Sequence, residues 1–191
     1  GTMTFADAGG GSLTLLKTLT ANNVSQLNIQ NGSDGVVIDD TYDVYILKAS
    51  RVYGATNDVR LQLRMKYGST TETSSYRSAS LGVHYNGSTT TSATDSTTSY
   101  MMRSRDNIRN NYPEYFNASF EFYSLGKASS RVSMTYTEFF RKDSSGYSFT
   151  SDGFGHVDSN QTWDGMEFEM SSGNIYGIFS LYGVKKAWVN M

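Results

Sequence analysis

The stretch WDGMEFEMSSGNIYGIFSLYGV, Trp163 to Val184, decides how the rest of the chain is read. Side chains alternate faces along a strand, so Met166, Phe168 and Met170 point one way and Glu167 and Glu169 the other. Ser171-Ser172-Gly173-Asn174 then interrupts with residues that leave the extended conformation at low cost. Ile175 to Leu181 is apolar at nearly every position and ends on Tyr182-Gly183. The reading is two strands joined by a turn, a closing hairpin. The second strand needs cover on both faces, which places it centrally in a sheet or between a sheet and a neighbouring subunit.

Working outward, strand patterns recur along the chain. Val59, Leu61, Leu63 and Met65 alternate strictly with Arg60, Gln62, Arg64 and Lys66, which predicts a half-buried strand with one wet, basic face. Ser12 to Thr20 puts Leu13, Leu15 and Leu19 on one face and Leu16 on the other. Val24–Ile29, Tyr42–Ala49 and Leu81–Tyr85 also read as strands, as do Asn117–Tyr123 and Arg131–Phe140. In the last two, Ala118, Phe120 and Phe122 form one inward row and Val132, Met134 and Tyr136 another. Asn31 to Gly35 is a dense turn signal. Asn86–Ser99 reads as an exposed polar loop and Gly146–Gly155 as a second, Gly/Ser/aromatic loop. Tyr100–Arg109 is the one stretch with a helical-turn pattern.

The composition agrees: 14 Tyr and 10 Phe against a single Pro suit a pleated, half-buried surface. Roughly eight to ten strands with no long helix predict an all-β fold, an antiparallel β-sandwich that is jelly-roll-like. A length of 191 residues suits one domain with a full core. Its parts are a flexible Gly-rich leader over 1–11, the sandwich over 12–184 and a tail over 185–191.

The pieces SLTLLKTLTA at Ser12–Ala21, I-x-x-TYDVY at Ile38–Tyr45 and MSSGNI…SLYG at Met170–Gly183 carry a resemblance. Together they resemble a family of structural proteins from tailed bacteriophages of the marine type. The likeness touches both ends and one strand in the first third; residues 66–160 are not matched piece by piece. The resemblance implies a virion component rather than an enzyme.

Chemical motifs are sparse. The chain lacks cysteine, so disulfides and thiolate zinc sites are impossible. A net charge of −2 with no basic block speaks against a nucleic-acid partner. Arg103, Arg105 and Arg109 are the densest cationic cluster, and a solvated loop or an intersubunit ion pair accounts for them. No apolar run reaches spanning length and no export signal opens the sequence, so neither a membrane nor secretion is expected. His84 and His156 stand far apart with no motif around them. Glu167 and Glu169 share a strand face, as two glycosidase carboxylates would, but an ordinary wet face explains them better. Asp34, Asp39 and Asp40 supply oxygens but not the EF-hand spacing, so no metal is assigned, and no cofactor either. Five Asn-x-Ser/Thr triplets, at Asn23, Asn31, Asn86, Asn117 and Asn160, are the number chance produces in a chain so rich in these residues.

Two classes of function remain in contention, with a polysaccharide depolymerase a distant third for want of a carboxylate or histidine constellation. The first is a non-enzymatic virion protein made in the host cytoplasm. It would decorate the capsid, as cement or head fibre, by assembling with itself and with the major capsid or another virion protein. A homo-oligomer is expected, a trimer first, with Phe5, Leu13, Trp188, Val189 and Met191 at the interface. The second is a tail-fibre or adhesin module that binds host surface glycans on the loop aromatics Tyr147, Phe149, Phe154 and Trp163.

Overall fold

The structure, a computed structural model, describes residues 13–84, 88–110, 115–142 and 147–185. Its strands are β1 (Leu13–Val24), β2 (Gln26–Gln30), β3 (Val44–Gly54), β4 (Leu61–Tyr67), β5 (Thr70–Thr71), β6 (Tyr76–His84), β7 (Thr89–Thr98), β8 (Met102–Arg103), β9 (Phe116–Tyr123), β10 (Ser133–Lys142), β11 (Tyr147–Val157), β12 (Gly165–Met170) and β13 (Ile175–Val184). An eight-stranded sheet runs β1-β13-β3-β9-β10-β11-β6-β7, and a five-stranded sheet runs β2-β12-β4-β5 with β8 also on β4. The named strand pairs are all antiparallel, and no helix occurs among the described residues.

The two sheets face each other, so the protein is an all-β sandwich. In each sheet the first strand of the chain pairs with one of the last: β1 with β13, β2 with β12. The first two strands thus pair with the last two, one pair in each layer, the jelly-roll manner of using strands. The meander β9-β10-β11, with β6 and β7 beyond it, widens the larger sheet.

The stretch predicted as a closing hairpin is therefore not one. β12 belongs to the smaller sheet and β13 to the larger, and the turn between them carries the chain from one layer to the other. Two further crossings stand beside it. β1, irregular at Asn23 with φ 60°, passes to β2 at Ser25, and β3 passes to β4 past Thr56. Asn174 Nδ2 donates to both Asn23 O (3.0 Å) and Asn23 Oδ1 (3.1 Å), and Thr56 Oγ1 donates to Ser172 O (3.2 Å). These polar turn residues are knots between corners.

Phe168 of β12 is the hinge of the core. Its ring lies 5.7 Å from Phe120 and 5.1 Å from Phe179, one from each of two strands of the larger sheet. All three are 0% exposed. Burial of each is worth about 2–3 kcal/mol of transfer free energy. β13 shows strict alternation, with Ile175, Phe179 and Leu181 buried and Tyr176, Ile178, Tyr182 and Val184 half-buried. The apolar run is thus one core face plus one partly open face, on a strand second from the sheet edge.

Three other expectations are corrected. Asn86–Ser99 is largely strand, since β7 pairs with β6 from Thr89 to Thr98. Gly146–Gly155 is also strand from Tyr147 onward: its glycines make room for rings from the neighbouring strands. A Cβ on Gly153 would strike the Tyr136 ring, and one on Gly82 across the pair would strike Phe149. Tyr100–Arg109 forms no helix. It is a strap that bonds to β4 through Met101 N to Leu63 O (2.8 Å) and buries Met101, Met102 and Ile108. Met101 lies over Gly155 of β11, so the strap covers core that the narrower sheet leaves open. Phe5, Trp188, Val189 and Met191 lie outside the described residues.

Candidate functional site

The sequence candidates fall in different places. Trp163 is 0% exposed, edge-on to Tyr67 at 5.2 Å, and its indole N–H donates to Ser130 O at 3.0 Å. Phe149 is buried between Phe140 (5.2 Å) and His84 (4.8 Å). Neither ring is available to a sugar, which corrects their assignment as glycan contacts: the pleat of β11 turns Phe149 into the core, and Trp163, in the segment just before β12, is packed against Tyr67 and bonded to Ser130. The Tyr147 side chain lies outside the described residues. Phe154 stands free, 51% exposed, and so does Leu13, 59% exposed.

Glu167 and Glu169 do not form a wet carboxylate face. Arg64 Nη1 lies 2.6 Å from Glu169 Oε1 and 3.4 Å from Glu167 Oε1, and Lys66 Nζ lies 3.8 Å from Glu167 Oε2. Thr71 donates to Glu167, and Arg64 Nε donates to Ser99 O beneath the Tyr100 ring. Gln62 and Glu167 are buried, so the face predicted to be solvated is a covered, neutralised ion-pair network. Arg103 also lies against Tyr100, and Arg109 pairs with Asp58 at 3.7 Å. His156 pairs with Asp158 at 3.4 Å, beside Arg77 and Arg131. The Thr41 hydroxyl, and after it the Thr41 amide that donates to Asp39 Oδ1 within a turn, hold the Asp39 carboxyl below the usual range. Among the described residues no group of three His, Asp or Glu gathers at metal-binding spacing.

One buried acid went unnoticed in the sequence. Glu138 of β10 is 0% exposed; its Oε1 accepts from Ser151 Oγ (2.7 Å) and Arg105 N (2.9 Å), while Oε2 has no partner. Burial pushes its carboxyl up to about 7. It occupies the parity position of a core residue between Tyr136 and Phe140, and no groove described below reaches it.

The outer face of the larger sheet gathers what remains. Every exposed large apolar side chain among the described residues, Val37 excepted, stands on it. Register lines them up. Leu13, Val184, Val44 and Tyr123 form one row across β1, β13, β3 and β9. The next row is Leu15, Tyr182, Ile46, Glu121, Thr135 and Phe154. The third holds Ser180, Lys48, Ser119, Thr137, Asp152 and Leu81, and the fourth Asn117, Phe139, Thr150 and Val83. Two apolar clusters result, one at β1/β13/β3 and one at β10/β11/β6. Between them lies a polar groove of about 270 Å³ with Glu121 and Asp152 in its walls. Only Leu13 and Phe154 of this face were singled out from the sequence. The others are linked by strand register, which no local pattern encodes.

A second groove, of about 280 Å³, opens on the same face at the end where the chain changes layers. β3 carries one extra residue there against both neighbours, between Ala49 and Val52. Such a bulge bends a strand and re-aims a side chain. Here it places Arg51, at φ +51°, in the lining of the groove with Tyr53, Tyr115 and Tyr176.

No protein-family model matches the chain, and no curated protein matches it.

Proposed function

We propose that this protein is a non-enzymatic structural component of a tailed-phage virion, and that it decorates the capsid by associating with copies of itself and with the shell. The virion assignment is supported by the likeness of Ser12–Ala21, Ile38–Tyr45 and Met170–Gly183 to such proteins. The single observation that carries the assembly reading is the outer face of the larger sheet. Monomers seldom leave so many large apolar side chains on one surface.

The occupant this face suits is a second copy. Its rows span about 30 Å across the strands and about 20 Å along them, on the order of 600 Å² in projection. A partner in a standard-size interface contributes about 800 Å². Lys48 and Asp152 share one row, on β3 and β11. A two-fold axis parallel to the strands, between β9 and β10, sets each Lys48 opposite the other copy's Asp152. The same axis keeps each row facing itself and sets Phe154 of one copy against Ile46 of the other, beside the β1/β13/β3 cluster. A self-complementary patch favours two-fold pairing, whereas the trimer expected from the sequence would need a head-to-tail contact.

Light scattering on the full chain tests the association, with Phe154→Asp as the probe. An even-numbered oligomer that falls to monomer in the variant supports the reading; a monomer in both, or a trimer indifferent to Phe154, removes it. Co-sedimentation of the chain with tailed-phage capsids tests the virion assignment separately.

A further inference from the structure

Seven non-glycine residues among those described adopt positive φ, and six of them carry short polar side chains, Asn, Asp or Ser. Arg51 is the exception. A long side chain in the left-handed region carries strain, and strain retained in a fold marks a place where the conformation has a use. The bulge is built to hold it: Asn117 Oδ1 accepts the Arg51 amide at 3.1 Å. Opposite the bulge is Gly177, where a Cβ would press on Val52.

Arg51 lines a groove together with three tyrosines. Tyr53 and Tyr176 stack in parallel, centroids 4.7 Å apart and planes within 1°. Tyr115 tilts against Tyr53 at 6.0 Å. Thr20 and Ile178 complete the walls. No described carboxylate pairs with Arg51, and the Tyr53 and Tyr176 hydroxyls bond no described group. One cationic residue, three tyrosines and the spare hydroxyls of Tyr53 and Tyr176 thus belong to the lining of a groove of about 280 Å³.

We infer that this groove binds an acidic saccharide, one pyranose ring of which carries a carboxylate. The C–H face of the ring packs on tyrosine, the phenols and Thr20 exchange hydrogen bonds with its hydroxyls, and Arg51 takes the carboxylate in a charge-assisted pair. A phosphate-rich polymer is a poorer match, since a single guanidinium serves this groove and the chain carries net charge −2. The inference is argued from the bulge and the tyrosines beside it and uses nothing of the assembly reading.

Calorimetric titration with tri-galacturonate, and with the matching neutral galactose trisaccharide, tests it. The wild-type chain is expected to bind the acidic sugar at least about tenfold more tightly than the neutral one, the worth of one charge-assisted hydrogen bond. Arg51→Gln and Tyr176→Ala are each expected to lose about tenfold or more, with the oligomeric mass unchanged. Arg51→Gly provides the folding control: it is expected to keep or raise the thermal midpoint while losing the sugar. Phe154→Asp, by contrast, should leave sugar binding intact. No binding of tri-galacturonate by the wild type, equal binding of both sugars, or unaltered binding by Arg51→Gln would overturn the inference.

Discussion

Glu138 lies on the inward face of β10, with one oxygen bonded to Ser151 and Arg105 N and the other unpartnered. Desolvation is the largest influence on it; the Ser151 and Arg105 contacts and the Arg105 charge oppose the shift, and Asp106 adds to it. Its carboxyl is held at about 7 in the folded protein against 4.5 in an ordinary setting. The folded state therefore grips the proton more tightly than the unfolded chain. The stability this contributes is complete below about 4.5 and is lost as pH rises through about 7, up to about 3 kcal/mol in all. Thermal melts from pH 5 to pH 8 should show a falling midpoint, and Glu138→Gln should flatten the slope while gaining stability at pH 8. A wild-type midpoint that is level or rising over that range would contradict the assignment. Arg51 makes the opposite kind of residue-scale statement. Arg51→Gly relieves a left-handed conformation worth about 1 kcal/mol, partly offset by the extra freedom of glycine in the unfolded chain. Denaturant melts should place the variant at or slightly above the wild type.

At the scale of elements, the glycines of β11 explain why a strand was read as a loop. Gly153 and Gly155 sit at inward positions, where the Tyr136 ring and Met101 occupy the space their side chains would take. Glycine usually signals a turn, and here it is a socket. Gly153→Val should force Tyr136 off its seat and cost about 2–3 kcal/mol, measurable as a shifted urea midpoint with an unchanged slope. Gly126 makes a sharper case. It has φ +78° and its missing Cβ points into the Asp39 backbone, so Gly126→Ala should cost more than about 2 kcal/mol by strain and displacement together. The corner 171–174 was legible as a turn, because Ser, Gly and Asn announce one. That the turn changes layers was not legible, because the partners of β12 and β13 lie far away in the chain, at β2, β4, β1 and β3.

For the whole molecule, the consequence of the unequal sheets is an exposed outer face. The smaller sheet and the 100–108 strap cover the inner side of the larger one, and nothing described covers its outer side. Leu81→Asp, at 55% exposure, should leave the melting temperature within about 1–2 °C, since exposed sites contribute little to folding. The same change should weaken self-association strongly, because a charge would be buried at a contact. Sedimentation velocity across a concentration series reads both the mass and its dependence on dilution. A destabilised variant of unchanged mass would show that Leu81 serves the fold and not the contact.

The sequence by itself determined the all-β class, the inward rows of β4, β9 and β10, and the absence of cysteine chemistry. Each rests on local information: a period of two, a residue count, a turn composition. It placed Trp163 and Phe149 near turn residues but carried no sign of which way they face, since that depends on which strand lies alongside. Tertiary structure alone decided that Arg64 and Lys66 neutralise Glu167, that β12 and β13 part into different sheets, and that Leu13 and Phe154 share one surface with Leu81 and Phe139. The physical reason is the same in every case. Pairing between distant strands sets the register, and register, not the neighbouring residues in the chain, decides which side chains meet.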